Sequence, residues 1–232
     1  MNLPIPLYPG ILLRRYQRFL ADVRLEDGET VTAHCPNSGS MRGCAVPGNK
    51  VYLSLSDNPK RKHPFTWELV YADDVWVGIN TGRPNKLVHE AISQGIIPEL
   101  AGYPEIRPEM RYGTGSRVDL LLSGPVGACY VEVKNVTLVD GERALFPDAV
   151  TVRGQKHLRE LMEVVRNGGR GVIFFVVQRE DAQAISPADT IDPEYGRLLR
   201  LAVENGVEAL AYQAAVTPQK ILLRRRLPII LE

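Results

Sequence analysis

The chain has 232 residues, 44% of them hydrophobic and 24% charged, which is typical of a soluble globular protein with one large or two small domains. A formal net charge of +1 excludes a general attraction to polyanions, so a nucleic-acid surface must be a local patch. The longest apolar run, Val172 to Val177, is too short to span a membrane, and the N-terminus lacks the pattern of a signal peptide. Three cysteines, an odd and sparse set, favour a reducing cytoplasm.

Residues 1–80 carry short alternating runs of strand-forming residues and no long helical pattern. The predicted strands are Gly10–Tyr16, Phe19–Leu25, Thr30–Cys35, Lys50–Ser56, Phe65–Ala72 and Val75–Ile79. Five or six strands in about seventy residues predict a small β-barrel of the OB type. We therefore expect a first domain at residues 1–80 that binds nucleic acid.

Basic residues of this first domain are the candidates for that contact. They are Arg14, Arg15, Arg18, Arg42, Lys60, Arg61 and Lys62. The alternative is that these short clusters are solvated loops, since nearby acidic residues nearly cancel their charge. His34, Cys35 and Cys44 lack the paired cysteine spacing of a zinc site.

Residues 81–232 differ from the first domain in their sequence pattern, because helical and strand patterns alternate. The predicted helices are one ending near Gly95 with Glu90 at the edge of its apolar stripe, one over Gly154–Asn167 that includes Gln155, and one that follows Asp192. The predicted strands are Arg117–Leu122, Cys129–Val136, Gly171–Gln178, Val207–Gln213 and Lys220–Ile230, with a loop over residues 140–148. This order predicts a mixed sheet flanked by helices, and hence an α/β second domain.

The central feature of the second domain is a predicted hairpin that carries two acids. If Leu122 pairs with Cys129, Asp119 lies opposite Glu132 on the same face of the sheet. Alternation also puts Lys134 on that face. Charges on so apolar a hairpin need a partner, and a divalent cation is a natural one for two carboxylates. The alternative is a surface hairpin with a Glu–Lys pair on its wet face.

The order of these elements resembles the PD-(D/E)XK nuclease superfamily. A helix with Glu90 precedes the strand with Asp119, which precedes Glu132-Val133-Lys134 and then the helix that starts near Gln155. Val118 stands before Asp119 where the motif name has proline. The order of the elements carries this resemblance more than the tripeptide does.

Longer strings resemble the sugar fermentation stimulation protein family over nearly the whole chain. They lie at residues 34–41, 58–62, 130–138, 146–151 and 153–162. The resemblance implies an OB-like domain at 1–80, a nuclease-like domain at 81–232 and DNA binding. The family name implies a role in regulating sugar (maltose) metabolism.

We expect a metal-dependent nuclease that uses Mg²⁺ or Mn²⁺ held by Asp119, Glu132 and a carbonyl near Val133. Lys134 would orient the attacking water, and Glu90 would hold a metal-bound water or a second ion. Gln155 would contact substrate or order water, although it and His157 equally fit the polar start of a helix. The alternatives are a DNA-binding regulator that keeps the fold without turnover, and a carbohydrate-binding OB module. DNA is the expected partner, a homodimer is allowed, and no membrane is involved.

Overall fold

The computed structural model describes residues 1–112 and 116–232. The first part of the chain forms an OB barrel. Its strands are β1 (Leu7–Tyr16), β2 (Leu20–Leu25), β3 (Thr30–His34), β4 (Lys50–Leu55), β5 (Phe65–Ala72) and β6 (Val75–Gly78). They follow the order β3-β2-β1-β4-β5-β6, and a parallel contact between His34 and Thr66 closes the barrel. Alternate residues point inward, so that Leu12, Leu53 and Trp67 are fully buried.

The rest of the chain forms a mixed sheet with helices on both faces, as predicted. Its elements are α1 (Pro84–Ser93), β7 (Glu105–Tyr112), β8 (Ser116–Gly124), β9 (Gly127–Val136), β10 (Leu138–Asp140), β11 (Arg143–Phe146), α2 (Val152–Arg166), β12 (Arg170–Val177), β13 (Ala184–Pro187), α3 (Pro193–Glu204), β14 (Glu208–Val216) and β15 (Ile221–Arg226). The large sheet has the order β15-β14-β12-β9-β8-β7. Strands β9, β12 and β14 are parallel, with α2 and α3 as their connections.

The continuous apolar sequence of β12 follows from its central position. Val172, Phe174 and Val176 pack into the core on the α1 side, while the residues between them pack into the core under α2 and α3. A strand covered on both faces has no solvent side and shows no polar alternation. In the part of the chain that the structure describes, no helix is both long and apolar enough to cross a membrane.

Side-chain caps begin helices α2 and α3. Thr151 accepts a 3.0 Å hydrogen bond from the backbone N–H of Gly154 at the start of α2, and Asp192 accepts one of 3.0 Å from Tyr195 at the start of α3. Each cap satisfies a backbone donor that the first turn leaves without a partner. The N–H of Thr151 also donates a 2.8 Å hydrogen bond to Oδ2 of Asp192, which ties the start of α2 to the start of α3.

The prediction of a loop over residues 140–148 is wrong. Strands β10 and β11 form a small sheet with β13, in which β11 and β13 are parallel. These strands are only three or four residues long, too short for an alternating pattern to be recognised. The edge strand β7 was also missed, because its sequence is largely polar and contains Pro108.

The two domains are joined by polar contacts. The Arg179 side chain, only 1% exposed, lies 2.9 Å from an Asp73 carboxylate oxygen of the barrel and donates a 3.0 Å hydrogen bond to the carbonyl of Thr137. Gly78 donates a 3.1 Å hydrogen bond to the carbonyl of Gln178, and a Cβ at Gly78 would lie 2.0 Å from the Gln178 side-chain oxygen. Such close approach holds the barrel next to the carboxyl end of β12.

Candidate active site

The predicted hairpin is present in the predicted register. Leu122 of β8 pairs with Cys129 of β9, and Leu120 pairs with Val131. One step further along both strands places Asp119 opposite Glu132, with both side chains on one face. The structure therefore brings the two predicted acids together.

Asp119 is held by one backbone and one side-chain donor. Its Oδ2 accepts a 2.8 Å hydrogen bond from the backbone N–H of Val133, and its Oδ1 accepts one of 2.8 Å from Nδ2 of Asn85 in α1. Asn85 was not predicted as a site residue. Its contact fixes the orientation of the carboxylate from the helix side of the cleft.

Glu132 lies deeper, with 2% of its surface exposed. Its Oε1 accepts a 2.6 Å hydrogen bond from Nζ of Lys134, and Nδ1 of His157 also contacts that oxygen. Its Oε2 is buried and has no hydrogen-bond partner among the described residues. A buried carboxylate oxygen without a partner is costly in free energy, and a bound cation would remove that cost.

The two acids have pKa values shifted in opposite directions. Burial, followed by the nearby charge of Glu132, raises the pKa of Asp119 above its ordinary value, against the opposing effect of the Val133 N–H. Burial also acts to raise the pKa of Glu132, but the hydrogen bond from His157 and the charge of Lys134 outweigh it, so that pKa is lowered. A cation between the acids would favour the charged form of both.

The residues present suit an ion such as Mg²⁺, which needs only one or two protein ligands, better than an ion that is enclosed by protein ligands alone. Within residues 1–112 and 116–232, no cluster of three or more His, Cys, Asp or Glu side chains has the geometry of a metal site. Mg²⁺ is commonly held by one or two carboxylates, with water and substrate phosphate completing its octahedron. Asp119 and Glu132, with the unpartnered Glu132 Oε2, supply such a pair.

These acids line a cleft of about 440 Å³ between the barrel and the sheet. Its lining residues from the barrel include Arg18, Asn37, Ser38 and Gly39, and those from the second domain include Asn85, Asp119, Glu132, Lys134, Asp148, Arg153 and His157. Three of these side chains are cationic and three are carboxylates, so the protein groups alone are close to neutral. A phosphate is favoured there once a divalent cation is bound.

The prediction that Arg15 contacts nucleic acid is not supported by its position. Its guanidinium donates to the carbonyls of Arg18 at 2.8 Å, Asn37 at 2.8 Å and Gly39 at 2.9 Å. These bonds occupy the planar donor group that a phosphate would need. Arg15 instead shapes the barrel loop that forms one wall of the cleft.

A second contact ties that loop to the other domain. The hydroxyl of Ser40 donates a 2.6 Å hydrogen bond to the carbonyl of Asp148, and the N–H of Met41 donates one of 2.9 Å to Oδ2 of Asp148. A Cβ at Gly39 would lie 2.4 Å from the Asp148 carboxylate. Asp148 therefore positions the loop.

Glu90 does not join the cleft, contrary to the sequence prediction. Its carboxylate lies 3.0 Å from the α-ammonium of Met1. Glu90 is five residues after Asn85, and at 100° per residue the two point about 140° apart around α1. Because Asn85 faces Asp119, Glu90 is directed elsewhere.

Gln155 is likewise not in the cleft, and the role predicted for it is not supported. Its Nε2 donates hydrogen bonds of 2.9 Å and 3.2 Å to the carboxylate of Asp192. His157, two residues further along α2, faces the site instead. Its Nδ1 lies 3.2 Å from Nζ of Lys134, and its Nε2 lies 3.3 Å from Nε of Arg153. Sequence reasoning considered His157 and did not include it among the site residues.

The other predicted basic residues differ in how accessible they are. Arg14 lies 2.7 Å from Asp22, and Arg61 donates a 3.0 Å hydrogen bond to Thr66. Apart from Arg14, the exposed residues among these candidates are Arg18, Arg42, Lys60 and Lys62. Of the seven candidates, Arg18 is the one that lines the cleft.

The loop that carries Lys60 and Lys62 lies close to β3, the strand that precedes the cleft-lining segment. His34 pairs with Thr66, and the Arg61 side chain donates a 3.0 Å hydrogen bond to the Thr66 hydroxyl. His34 is the last residue of β3, and the cleft-lining segment begins at Asn37. The loop with Lys60 and Lys62 is therefore next to the barrel end that faces the cleft.

Comparison with known proteins assigns both parts of the chain. A family model described as the N-terminal OB domain of SfsA matches residues 13–79, and one described as the sugar fermentation stimulation protein RE domain matches residues 82–220. A sugar fermentation stimulation protein homolog of Geobacter metallireducens is 71% identical over 232 residues, which is 100% of both chains. The homolog of Geobacter sulfurreducens is 72% identical over 230 residues, 99% of each chain.

A solved structure matches over almost the whole length as well. It is that of Pyrococcus furiosus SfsA in complex with Ca²⁺, with a TM-score of 0.91 and 31% sequence identity, covering 99% of this chain and 98% of that one. The match includes both the barrel and the mixed sheet.

Proposed function

The chain belongs to the sugar fermentation stimulation protein family, and we propose that it is a DNA-binding nuclease that uses a divalent metal ion. The observation that carries this proposal is the buried Oε2 of Glu132, which has no hydrogen-bond partner among the described residues and lies in a cleft with Asp119 and Lys134. A module that only binds DNA has no need to concentrate carboxylates where phosphate must sit.

Asp119 and Glu132 would hold Mg²⁺ or Mn²⁺. The ion would supply a Lewis acid for the phosphoryl oxygen and lower the pKa of a bound water. The Ca²⁺ in the complex of the Pyrococcus furiosus relative supports a divalent cation site in this family. Asn85 and the Val133 N–H would keep the Asp119 carboxylate in place while substrate binds.

Lys134 is the residue of this chain best placed to act on the attacking water. Its Nζ is 2.6 Å from Glu132 and its side chain is only 12% exposed, so its position is fixed beside that carboxylate. It would orient the nucleophile and offset negative charge that develops on the phosphoryl group. Arg18 and Arg153, which also line the cleft, would contact flanking phosphates.

We also propose that the protein works in the cytoplasm. All three cysteines are free and buried, which suits a reducing compartment. A link to sugar metabolism rests on the family name, and a homodimer stays a prediction.

The test is a cleavage assay on labelled single-stranded, duplex and branched DNA with Mg²⁺, with Mn²⁺ and with EDTA. We expect cleavage with metal, loss of cleavage in EDTA, and loss in Glu132→Gln. Glu142→Gln, an exposed carboxylate at the β10–β11 turn, is the matched control and should cleave normally. Tight DNA binding without cleavage in the presence of any metal would contradict the nuclease proposal and favour a DNA-binding regulator.

A further inference from the structure

We propose that the DNA enters the cleft as a single strand and that Phe19, next to Arg18 at the rim of the cleft, stacks on one of its bases. This inference rests on the proposed nuclease function and specifies the class of its substrate.

The first argument is the shape of the cleft. Its floor holds Glu132, which is only 2% exposed, and one wall is the barrel loop anchored to Asp148 by Ser40 and Met41. A volume of about 440 Å³ is in the range that encloses a drug-sized molecule, about one or two nucleotides. A DNA duplex is much wider than a single strand, so this wall would keep its backbone away from the floor of the cleft.

The second argument is the charge of the cleft. Arg18, Lys134 and Arg153 balance Asp119, Glu132 and Asp148 among the lining residues. One divalent cation would leave two positive charges in excess, which matches about two phosphates. The balance therefore favours a short stretch of one strand over the many phosphates of two strands, which need a larger basic surface.

The third argument is Phe19 itself. It exposes 48% of its surface, and among the described residues it is the only exposed aromatic residue, the others being buried or half-buried. Isolated exposed apolar residues are common, but Phe19 directly follows the cleft-lining Arg18, and its carbonyl accepts a 2.7 Å hydrogen bond from the N–H of Cys35, just before the loop that forms the wall. An aromatic ring beside a cation is the arrangement by which proteins bind single strands, with bases stacked and phosphates paired.

The turn that carries both residues is held in an uncommon conformation. Gln17 and Arg18 have φ values of 48° and 63°, in the left-handed region that residues other than glycine seldom adopt. The guanidinium of Arg15 donates a 2.8 Å hydrogen bond to the carbonyl of Arg18 and so supports the turn. Arg18 and Phe19 are thereby presented on a braced segment.

The experiment measures binding by fluorescence anisotropy with Mg²⁺, in a Lys134→Ala background that should bind without cutting. The probes are one short labelled oligodeoxynucleotide and the blunt duplex of the same sequence. We expect the single strand to bind at least about tenfold more tightly. Phe19→Ala should weaken single-strand binding by about 5- to 150-fold, the factor for one stacked base, and Phe19→Trp should preserve it. Val126→Ala, exposed at the β8–β9 turn, is the control and should change nothing.

The outcomes separate this inference from the function on which it rests. Equal binding and equal cleavage of the duplex would overturn the single-strand inference and leave the nuclease intact. Unchanged single-strand affinity in Phe19→Ala would remove the role of Phe19. If the single strand binds through Phe19 but wild type cuts no substrate with any metal, the nuclease proposal fails and single-strand binding stands.

Discussion

The carboxylate of Asp119 accepts a 2.8 Å hydrogen bond from the backbone N–H of Val133, the residue that follows Glu132 in the neighbouring strand. The bond ties the acid of β8 to the backbone of the strand that carries the second acid. Because the donor is a backbone group, the contact depends on strand register and not on the side chain at position 133. The two carboxylates are in this way held together before any metal binds.

Asp119→Asn should weaken binding of Mg²⁺ or Mn²⁺ by at least about tenfold, since it removes one of two charged ligands. Isothermal titration calorimetry measures this directly. Asp140→Asn, an exposed carboxylate at the end of β10, is the control and should bind like wild type. Equal affinity in Asp119→Asn and wild type would show that the ion is held elsewhere.

Without metal, the effect of the same Asp119→Asn change on the free energy of unfolding should depend on pH, because the carboxyl titrates and the amide does not. The pKa of Asp119 is raised in the folded state, so its ionised form is disfavoured by folding, and its contribution to stability improves as pH falls through that pKa. Urea unfolding in EDTA at pH 7 and at acidic pH should show wild type gaining stability relative to the variant as pH falls. A gain of the variant relative to wild type with acid would contradict the assigned direction.

Lys134→Ala should lower metal-dependent cleavage by about a hundredfold or more, because Lys134 would act on the attacking water. DNA affinity should change by only about 1 kcal/mol or less, as for one partly screened charge. Cleavage rate and affinity are measured on the same preparations, with Lys50→Ala, an exposed lysine of the barrel, as the control. If DNA affinity and cleavage rate fall by similar factors, Lys134 acts in DNA binding and not on the attacking water.

The double variant Lys60→Ala/Lys62→Ala should flatten the dependence of DNA affinity on salt. Each lost phosphate contact reduces the slope of log affinity against log salt by about 0.7 on single strands, so about 1.4 is expected for both. Adding Arg61→Ala should change little, since that side chain is partly buried and bonded to Thr66. Lys220→Ala is the control, and an unchanged slope in the double variant would place the binding surface elsewhere.

Gly39→Ala should destabilise the protein by about 1–3 kcal/mol through overpacking, because the added carbon would meet the Asp148 carboxylate at 2.4 Å. Combining it with Asp148→Ala removes the clash, so the two changes together should cost less than their sum. Urea unfolding of the four proteins gives the coupling. Gly82→Ala, where the nearest atom is at 3.2 Å, should be tolerated, and strict additivity would contradict the contact.

The barrel and the acid hairpin could be predicted because both depend on local pattern. Period-two alternation and a turn decide which strand residues share a face, so the pairing of Leu122 with Cys129 followed from the sequence. The strings shared with the family pointed to the same two-domain organisation. By contrast, β10, β11 and β13 were missed or assigned to a loop, since such short strands exist only through pairing with one another.

The sequence by itself determined the hairpin and the presence of Asp119, Glu132 and Lys134 on one face. Only the tertiary structure decided which helix residues face that hairpin. Glu90 meets Met1 and Gln155 meets Asp192, whereas Asn85 and His157 meet the acids. The physical reason is that a polar residue at a helix edge gains its partner from the rotation and docking of the helix, which are set by distant packing. The cleft also depends on the tertiary structure, because its barrel wall forms only when Asp148 contacts the loop at Ser40.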